Sequence, residues 1–188
     1  MIKNISYADF KRLSKDKIHR DFPPDEIREI HGIKKLYKKG LYSCSVMYSG
    51  EKMVAYGCFI RNDFTQGVLL DYLAVEPEYR GTGVGSSFLC EVRKNIDCPG
   101  LIIECECPET AQSNEEKLVR ERRIQFYINN GATLSSEVWE AFNVKYNLLW
   151  LPVNQPLGSL SLAQEIRTIY RSAIPYPFSR FLPKYRKL

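Results

Sequence analysis

The sequence predicts an α/β fold in which a mixed sheet carries helices on both faces. Strand-like apolar runs alternate along the chain with segments of helical periodicity. One of the strands, residues 69–75, leads through a glycine-rich turn directly into a helix. With 188 residues and 44% hydrophobic content, the chain is long and apolar enough to bury the core of an ordinary domain.

The strands are predicted from runs rich in Val, Ile, Tyr and Cys that end at glycine, proline or polar turns. They are expected at residues 2–6, 42–48, 53–60, 69–75, 101–107, 133–142 and 146–153. The sequence Ser49-Gly50-Glu51 separates the second run from the third and predicts a hairpin.

The helices are predicted from apolar residues at helical spacing and from their proline and glycine boundaries. They are expected at residues 7–22, 25–39, 86–96, 115–130 and 161–172. Pro23-Pro24 divides the first two, and Gly40 and Gly131 end the second and the fourth. A linker at residues 155–158 predicts one domain over residues 1–153. Residues 154–188 would then form an appended helical and basic segment, either folded onto the domain or serving as a partner-binding tail.

The glycine-rich turn has the composition of an anion site. It reads Arg80, Gly81, Thr82, Gly83, Val84, Gly85 and Ser86. Glycines let successive backbone amides face one point, and the first turn of the following helix adds unpaired amides and the positive end of its dipole. Arg80 adds a positive charge at the entrance, so the turn predicts a phosphate or pyrophosphate site.

Spacing distinguishes three phosphate-binding motifs. A Walker loop needs a lysine directly after its second glycine, but no lysine follows here until Lys94. A dinucleotide fingerprint needs a third glycine where Ser86 stands. The remaining pattern, Arg/Gln-x-x-Gly-x-Gly/Ala after a strand reading Leu-Ala-Val-x-Pro, is met at Arg80, Gly83 and Gly85. This segment resembles the acetyl-CoA-binding segment of the GNAT superfamily of N-acetyltransferases.

A second motif of the same superfamily follows downstream. The helix after the next strand ends in Phe126-Tyr127, followed by Gly131, which matches the family pattern Phe/Leu-Tyr-x-x-x-Gly. The resemblance is strong over residues 69–131 and extends in element order over residues 2–153. It implies the GNAT fold, a central, mostly antiparallel mixed sheet with helices on both faces.

The resemblance also implies how acetyl-CoA would bind as a co-substrate. The cofactor is expected in a cleft where the strand bearing Leu73 and the strand bearing Glu104 splay apart. The pantetheine arm would pair with backbone groups of Leu73, Ala74 and Val75, and the Leu73 amide would be the oxyanion donor. Amides from Arg80 through Ser86 would hold the pyrophosphate.

Three side chains are candidates for catalysis. The resemblance makes Tyr127 the general acid, unless it is only a packed aromatic. Glu104 is the favoured general base and Asp71 the second candidate. Glu106 is expected to contact a cationic acceptor. The alternative for these carboxylates is an ion pair with an arginine, for which Arg120, Arg122 and Arg123 are available.

Composition argues against several other classes. Much of the net charge of +5 lies in residues 34–39 and 180–187, which favours solvated surfaces over nucleic-acid binding. Cys105-Glu106-Cys107 has no second close cysteine pair and the two histidines are far away, so no metal is expected. Without a long apolar run or an export signal, we expect a cytoplasmic protein with no membrane partner and with free cysteines.

The sequence therefore predicts an acetyl-CoA-dependent N-acetyltransferase that acts directly on a primary amine. The acceptor could be a small molecule, a peptide or a protein, because acceptor pockets on one fold vary. Two alternatives stay open: a non-catalytic acyl-CoA-binding or protein-interaction module, and, more weakly, a nucleic-acid binder. A homodimer is also compatible with the sequence.

Overall fold

The computed structural model describes residues 1–23, 26–28, 30–141 and 143–173. The strands are β1 Ile2–Asn4, β2 Tyr42–Ser49, β3 Lys52–Ile60, β4 Gly67–Val75, β5 Gly100–Glu106, β6 Thr133–Ala141 and β7 Val144–Pro152. The α-helices are α1 Tyr7–Leu13, α2 His19–Asp21, α3 Ile30–Lys38, α4 Val84–Asn95, α5 Asn114–Asn129 and α6 Leu162–Ala173, with a π-helical turn, Ser14–Ile18, between α1 and α2.

The seven strands form one sheet in the order β1-β2-β3-β4-β5-β7-β6. The β4–β5 pair is parallel, whereas the β1–β2, β2–β3, β5–β7 and β6–β7 pairs are antiparallel. The predicted class, a mixed and mostly antiparallel sheet accompanied by helices, is confirmed.

Internal contacts divide the chain into two compact units. The first consists of Met1–Arg61 and Asp71–Asn95, and the second of Asn62–Leu70 and the chain from Ile96 onward. Strand β4 therefore contributes residues to both.

The first unit is built around aromatic side chains of α1, α3 and β2. Ser6 begins α1 by accepting a hydrogen bond from the Asp9 amide. Phe10 is fully buried, and its ring centroid lies 5.4 Å from that of Tyr37 and 5.5 Å from that of Tyr42. These contacts bury one face of each helix against the sheet.

The helix predicted from residue 25 is wrong in its first turn. Pro24 and Asp25 lie outside the described residues, residues 26–28 are not α-helical, and α3 begins at Ile30. The hydroxyl of Tyr72 accepts a hydrogen bond from the Arg28 amide and donates one to the Glu26 carbonyl. Backbone groups that a helix would pair with each other are thus bound to a strand side chain.

The second unit buries Trp139 and Trp150 almost completely. The ring of Trp150 fills the space beside Gly100, where any side chain would overlap it. Helix α6 packs against β6 and β7, and its Leu162, Ile166 and Ile169 are fully buried. The close approach of Trp150 explains why a glycine opens β5.

The helix boundaries follow local chemistry. Helix α4 begins at Val84, two residues before the predicted start, so Gly85 and Ser86 lie in its first turn. The Ser113 hydroxyl caps α5. The predicted stop at Gly131 has φ 91°, a conformation that suits glycine.

Two predictions fall on undescribed parts of the chain. Phe142, the predicted end of a strand, and the basic segment at residues 180–187 both lie outside the described residues. Among the helices that the structure describes, none is both long and apolar enough to cross a membrane.

Candidate active site

The glycine-rich loop in the first unit forms an open cradle at the start of α4. Gly81 and Gly83 have φ values of 75° and 86°, in the left-handed region that favours glycine. No neighbouring atom lies within 4 Å of the position that a Cβ would take at either residue. The loop leads directly into Val84, so the first amides of α4 adjoin it. This combination fits a diphosphate.

Arg80 is held at the end of β4. Its Nε donates a hydrogen bond to the Val75 carbonyl at 3.0 Å, and its Nη2 lies 3.6 Å from Oδ1 of Asp21. The side chain nevertheless stays 58% exposed. Its charge is therefore fixed beside the loop while part of the guanidinium remains open to solvent.

Two buried carboxylates tie the first helices to the turn before the loop. Asp21 accepts hydrogen bonds from the Tyr56 hydroxyl and from Nε and Nη2 of Arg20, each at 2.9 Å. Glu76 contacts Nζ of Lys17 at 2.7 Å and Nη1 of Arg20 at 3.1 Å. Burial alone would raise the pKa of Glu76, but the hydrogen bonds from Lys17 and Arg20 outweigh it and lower the pKa. This network fixes the residues from which the loop departs.

Asp71, the second candidate base, is bound at both carboxylate oxygens. Its side chain is only 5% exposed. Nε of Arg28 lies 2.6 Å from Oδ1, and the Tyr42 hydroxyl donates a hydrogen bond to Oδ2 at 2.9 Å. Burial, followed by the charge of Asp71, raises the pKa of Tyr42. Both carboxylate oxygens of Asp71 are therefore occupied by partners within the first unit.

The cofactor-binding candidates Leu73, Ala74 and Val75 form the end of β4. The ladder that β4 makes with β5 joins Gly67–Leu69 to Gly100–Ile102. In the described residues, that ladder uses no backbone group of the three candidates. The three candidates thus lie beyond the end of this ladder along β4.

Glu104, the favoured base, belongs to the second unit and has a partner on α6. The Tyr170 hydroxyl donates a 2.8 Å hydrogen bond to Oε2 of Glu104. Tyr170 is 7% exposed, and its ring centroid lies 6.0 Å from that of Trp139 in an edge-on arrangement. The arrangement holds one carboxylate oxygen in a defined position.

Glu106 lies in an ion pair. Its Oε2 is 3.1 Å from Nε of Arg120, whose side chain is 9% exposed. The same guanidinium donates to the Cys107 carbonyl and to Glu116. The arginine partner that the sequence left open as an alternative is therefore present at Glu106.

Tyr127, the candidate acid, is 7% exposed near the end of α5. Burial raises its pKa above the usual value, and neighbouring Cys105 adds to the shift. The hydroxyl therefore stays protonated near neutral pH. No other described residue forms a hydrogen bond with it, so its proton is not committed within that part of the chain.

The cysteines lie mostly in the interior of the structure. None of the six forms a disulfide with another described residue, and all except Cys90 are buried. Burial raises the pKa of the Cys105 thiol to about 12 and also raises that of Cys107. Within the described ranges, no three Cys, His, Asp or Glu side chains are grouped for a metal ion.

The structure thus divides the predicted residues between its two units. The loop, the end of β4 and Asp71 belong to the first, whereas Glu104 and Tyr127 belong to the second. Sequence reasoning missed Arg28 and Tyr170, the partners of the two candidate bases. Tyr170 is 66 residues from Glu104 along the chain, and its only sequence signal was a place in a predicted helix.

The family comparison agrees with this geometry. Residues 40–131 match the model of the acetyltransferase (GNAT) domain. The chain carries a GNAT acetyltransferase domain. The resemblance drawn from the loop and from the Phe126-Tyr127 motif is confirmed, since both lie within the matched residues. No curated protein matches the sequence.

Solved structures support the GNAT fold at low sequence identity. An acetyltransferase from Bacteroides thetaiotaomicron, assigned to the GNAT family, is 17% identical to this chain and superposes with a TM-score of 0.71. The match covers 98% of this chain and 99% of that protein. The ribosomal-protein-S18-alanine N-acetyltransferase of Escherichia coli is 16% identical with a TM-score of 0.57, covering 86% and 98%. An aminoglycoside 6'-N-acetyltransferase solved with coenzyme A is 11% identical with a TM-score of 0.58, covering 83% and 98%. At these identities the likeness establishes the fold alone.

Proposed function

We propose that this protein is an N-acetyltransferase that transfers the acetyl group of acetyl-CoA directly to a primary amine. The observation that carries the proposal is the open amide cradle at Gly81 and Gly83, which leads directly into α4. It lies within the residues that match the acetyltransferase domain model. The structural neighbour solved with coenzyme A supports the same cofactor class.

The cofactor would be bound mainly by backbone groups. Amides from Arg80 to Ser86 would hold its diphosphate, with the exposed part of the Arg80 guanidinium beside them. Leu73, Ala74 and Val75 would pair with the pantetheine arm, as an added strand does. Bound acetyl-CoA supplies an acetyl group activated as a thioester. The Leu73 amide would donate to the carbonyl oxygen as negative charge develops there.

Two side chains would handle the protons. The amine must lose a proton when it is acylated, and we assign its acceptance to the carboxylate of Glu104. The thiolate leaving group needs a proton, which we assign to the buried Tyr127 hydroxyl. Asp71 remains the second candidate base, but its ion pair with Arg28 favours a structural role.

The proposal also covers the location of the enzyme, its partners and its assembly. We propose a cytoplasmic protein that binds neither membrane nor nucleic acid and that acetylates a small molecule, a peptide or a protein. We also retain the domain at residues 1–153 with an appended segment at 154–188, and a homodimer as its assembly. Light scattering in solution tests the dimer, and failure to bind DNA at low salt supports the exclusion of nucleic acid.

The test is amine-dependent release of thiol from acetyl-CoA. The amine panel would contain kanamycin, spermidine and a peptide with an N-terminal alanine, which represent different acceptor classes. Tyr127→Phe should lower turnover by about tenfold to ten-thousandfold if its hydroxyl is the acid. Tyr48→Phe, at an exposed position on β2, is the matched control.

Two results would contradict the proposal. Absence of both acetyl-CoA binding and thiol release would contradict it entirely. Cofactor binding without turnover on any amine would instead support a non-catalytic acyl-CoA-binding module.

A further inference from the structure

We infer that Tyr170 of α6 is a positioning residue for Glu104, so that the C-terminal helix completes the base of the reaction. The inference rests on the proposed function, because it takes Glu104 as the proton acceptor. Tyr170 lies outside the residues matched by the family model, which end at 131. The inference therefore concerns a feature of this chain and not of the matched segment.

The contact has the geometry of a positioning hydrogen bond. The Tyr170 hydroxyl donates to Oε2 of Glu104 at 2.8 Å. Each carboxylate oxygen has more than one lone pair, so the Tyr170 hydroxyl can orient the group while a lone pair of Oε2 still accepts a proton. A free glutamate samples several rotamers, and fixing one of them reduces the entropy lost when the reacting groups come together.

Tyr170 is itself packed in the interior of the second unit. Its ring packs edge-on against Trp139, which is 2% exposed. Ile166 and Ile169, on the same helix, are fully buried. Rotation of the tyrosine away from Glu104 would therefore break its contact with the buried Trp139.

The start of α6 is fixed by a carboxylate of β6. Oε1 of Glu137 accepts a hydrogen bond from the Ser161 hydroxyl at 2.6 Å, and Oε2 accepts one from the Ala163 amide at 3.2 Å. These bonds satisfy donors at the helix N-terminus, where a negative charge is also favoured by the dipole.

The rest of α6 is fixed to the turn before β4. Oε2 of Glu165 accepts hydrogen bonds from the Gln66 and Gly67 amides at 2.7 and 2.8 Å. Near the end of the helix, Nδ2 of Asn62 donates to the Ser172 hydroxyl at 2.8 Å. These hydrogen bonds involve residues before and after Tyr170 in the sequence. They therefore fix the helix that carries the Tyr170 hydroxyl.

The experiment removes the hydroxyl and keeps the ring. Tyr170→Phe should lower kcat by about tenfold to a hundredfold, the effect of losing a hydrogen bond to a charged group. The Kd of acetyl-CoA, measured by calorimetry, and the KM of the amine should stay unchanged. Tyr48→Phe, with its exposed ring on β2, serves as the matched control and should leave all three values unchanged.

A double-mutant cycle tests whether Tyr170 acts through Glu104. In the background of Glu104→Gln, which lacks the base, Tyr170→Phe should cause little further loss of kcat. A purely structural role of the tyrosine would give the same loss in both backgrounds.

The outcomes separate this inference from the proposed function. A wild-type protein that neither binds nor turns over acetyl-CoA overturns both. An active wild type with an unchanged Tyr170→Phe variant, with additive losses in the cycle, or with a Tyr170→Phe variant that fails to fold, overturns only the role of Tyr170.

Discussion

Asp71 on β4 and Glu104 on β5 are two carboxylates of similar sequence context but different surroundings. Each lies in an apolar strand, and from the sequence each is a candidate base. Asp71 has a guanidinium at 2.6 Å and a hydroxyl on its other oxygen. Oε2 of Glu104 accepts the hydroxyl of Tyr170.

From this difference we infer that a carboxylate's partners, more than its strand position, decide its chemistry. A buried ion pair occupies the oxygen that would otherwise accept a proton from an amine, and breaking such a pair is costly. A hydroxyl donor orients the group with a smaller electrostatic effect. We therefore expect substitution of Glu104 to affect catalysis and substitution of Asp71 to affect folding.

The largest expected effect is on turnover in Glu104→Gln. Removing a general base should lower kcat/KM by about a hundredfold to ten-thousandfold. The amide oxygen can still accept the Tyr170 hydroxyl, so the thermal unfolding midpoint should change little. Glu140→Gln, at an exposed position of β6, is the control. Activity within a few-fold of wild type would show that Glu104 is not the base.

The next effect is on stability in Asp71→Asn. The change removes the carboxylate charge that lies 2.6 Å from the Arg28 guanidinium, which is 18% exposed, and breaking such a pair costs about 3 kcal/mol. Urea denaturation measures the loss in the free energy of unfolding, and the double variant with Arg28→Met should recover part of it. A variant as stable as wild type but inactive would reverse the roles of the two carboxylates.

Smaller losses of stability and of cofactor affinity are expected for Gly83→Ala, in the glycine-rich loop of the first unit. Gly83→Ala forces a side chain into a backbone with φ 86° and should cost about 1 kcal/mol in strain. It should also weaken acetyl-CoA binding in a calorimetric titration. Gly32→Ala is the matched control, because Gly32 lies in α3 with open space around it and should become more stable by about 0.5 kcal/mol. Unchanged cofactor affinity in Gly83→Ala would argue against the cradle.

The smallest expected effect is a pH-dependent loss of stability in Glu76→Gln. Because the folded-state pKa of Glu76 is lowered, its contribution to stability is complete above the unfolded-state pKa and is lost as the pH falls through the folded value. Glu76→Gln should therefore be less stable than wild type at pH 7. The two free energies of unfolding should begin to converge as the pH falls below the unfolded-state pKa of about 4.3. Parallel curves from pH 7 to pH 3 would contradict the ion pairs seen at this residue.

Local sequence predicted the backbone of the site better than its side-chain contacts. Left-handed φ values at Gly81 and Gly83 and the helix stop at Gly131 follow from residue type and spacing alone. The non-helical backbone at Arg28 could not be predicted, because the Tyr72 hydroxyl that binds its amide is 44 residues away. Tertiary contacts of this kind override local propensity.

The sequence also could not predict which side chains would contact the carboxylates on the strands. Several arginines were available for Glu106, and only the fold selects Arg120. Nothing in the spacing of residues 161–172 connects Tyr170 with Glu104. The sequence could therefore nominate the candidate bases, whereas their environments require the three-dimensional structure.

The central claim, that the loop from Arg80 to Ser86 holds the diphosphate of acetyl-CoA, is tested most directly by calorimetry with two ligands. We predict that acetyl-CoA binds at a single site and that S-acetylpantetheine, which lacks the diphosphate, binds about a hundredfold more weakly or not at all. Equal affinities for the two ligands, or no heat from acetyl-CoA, would contradict the account.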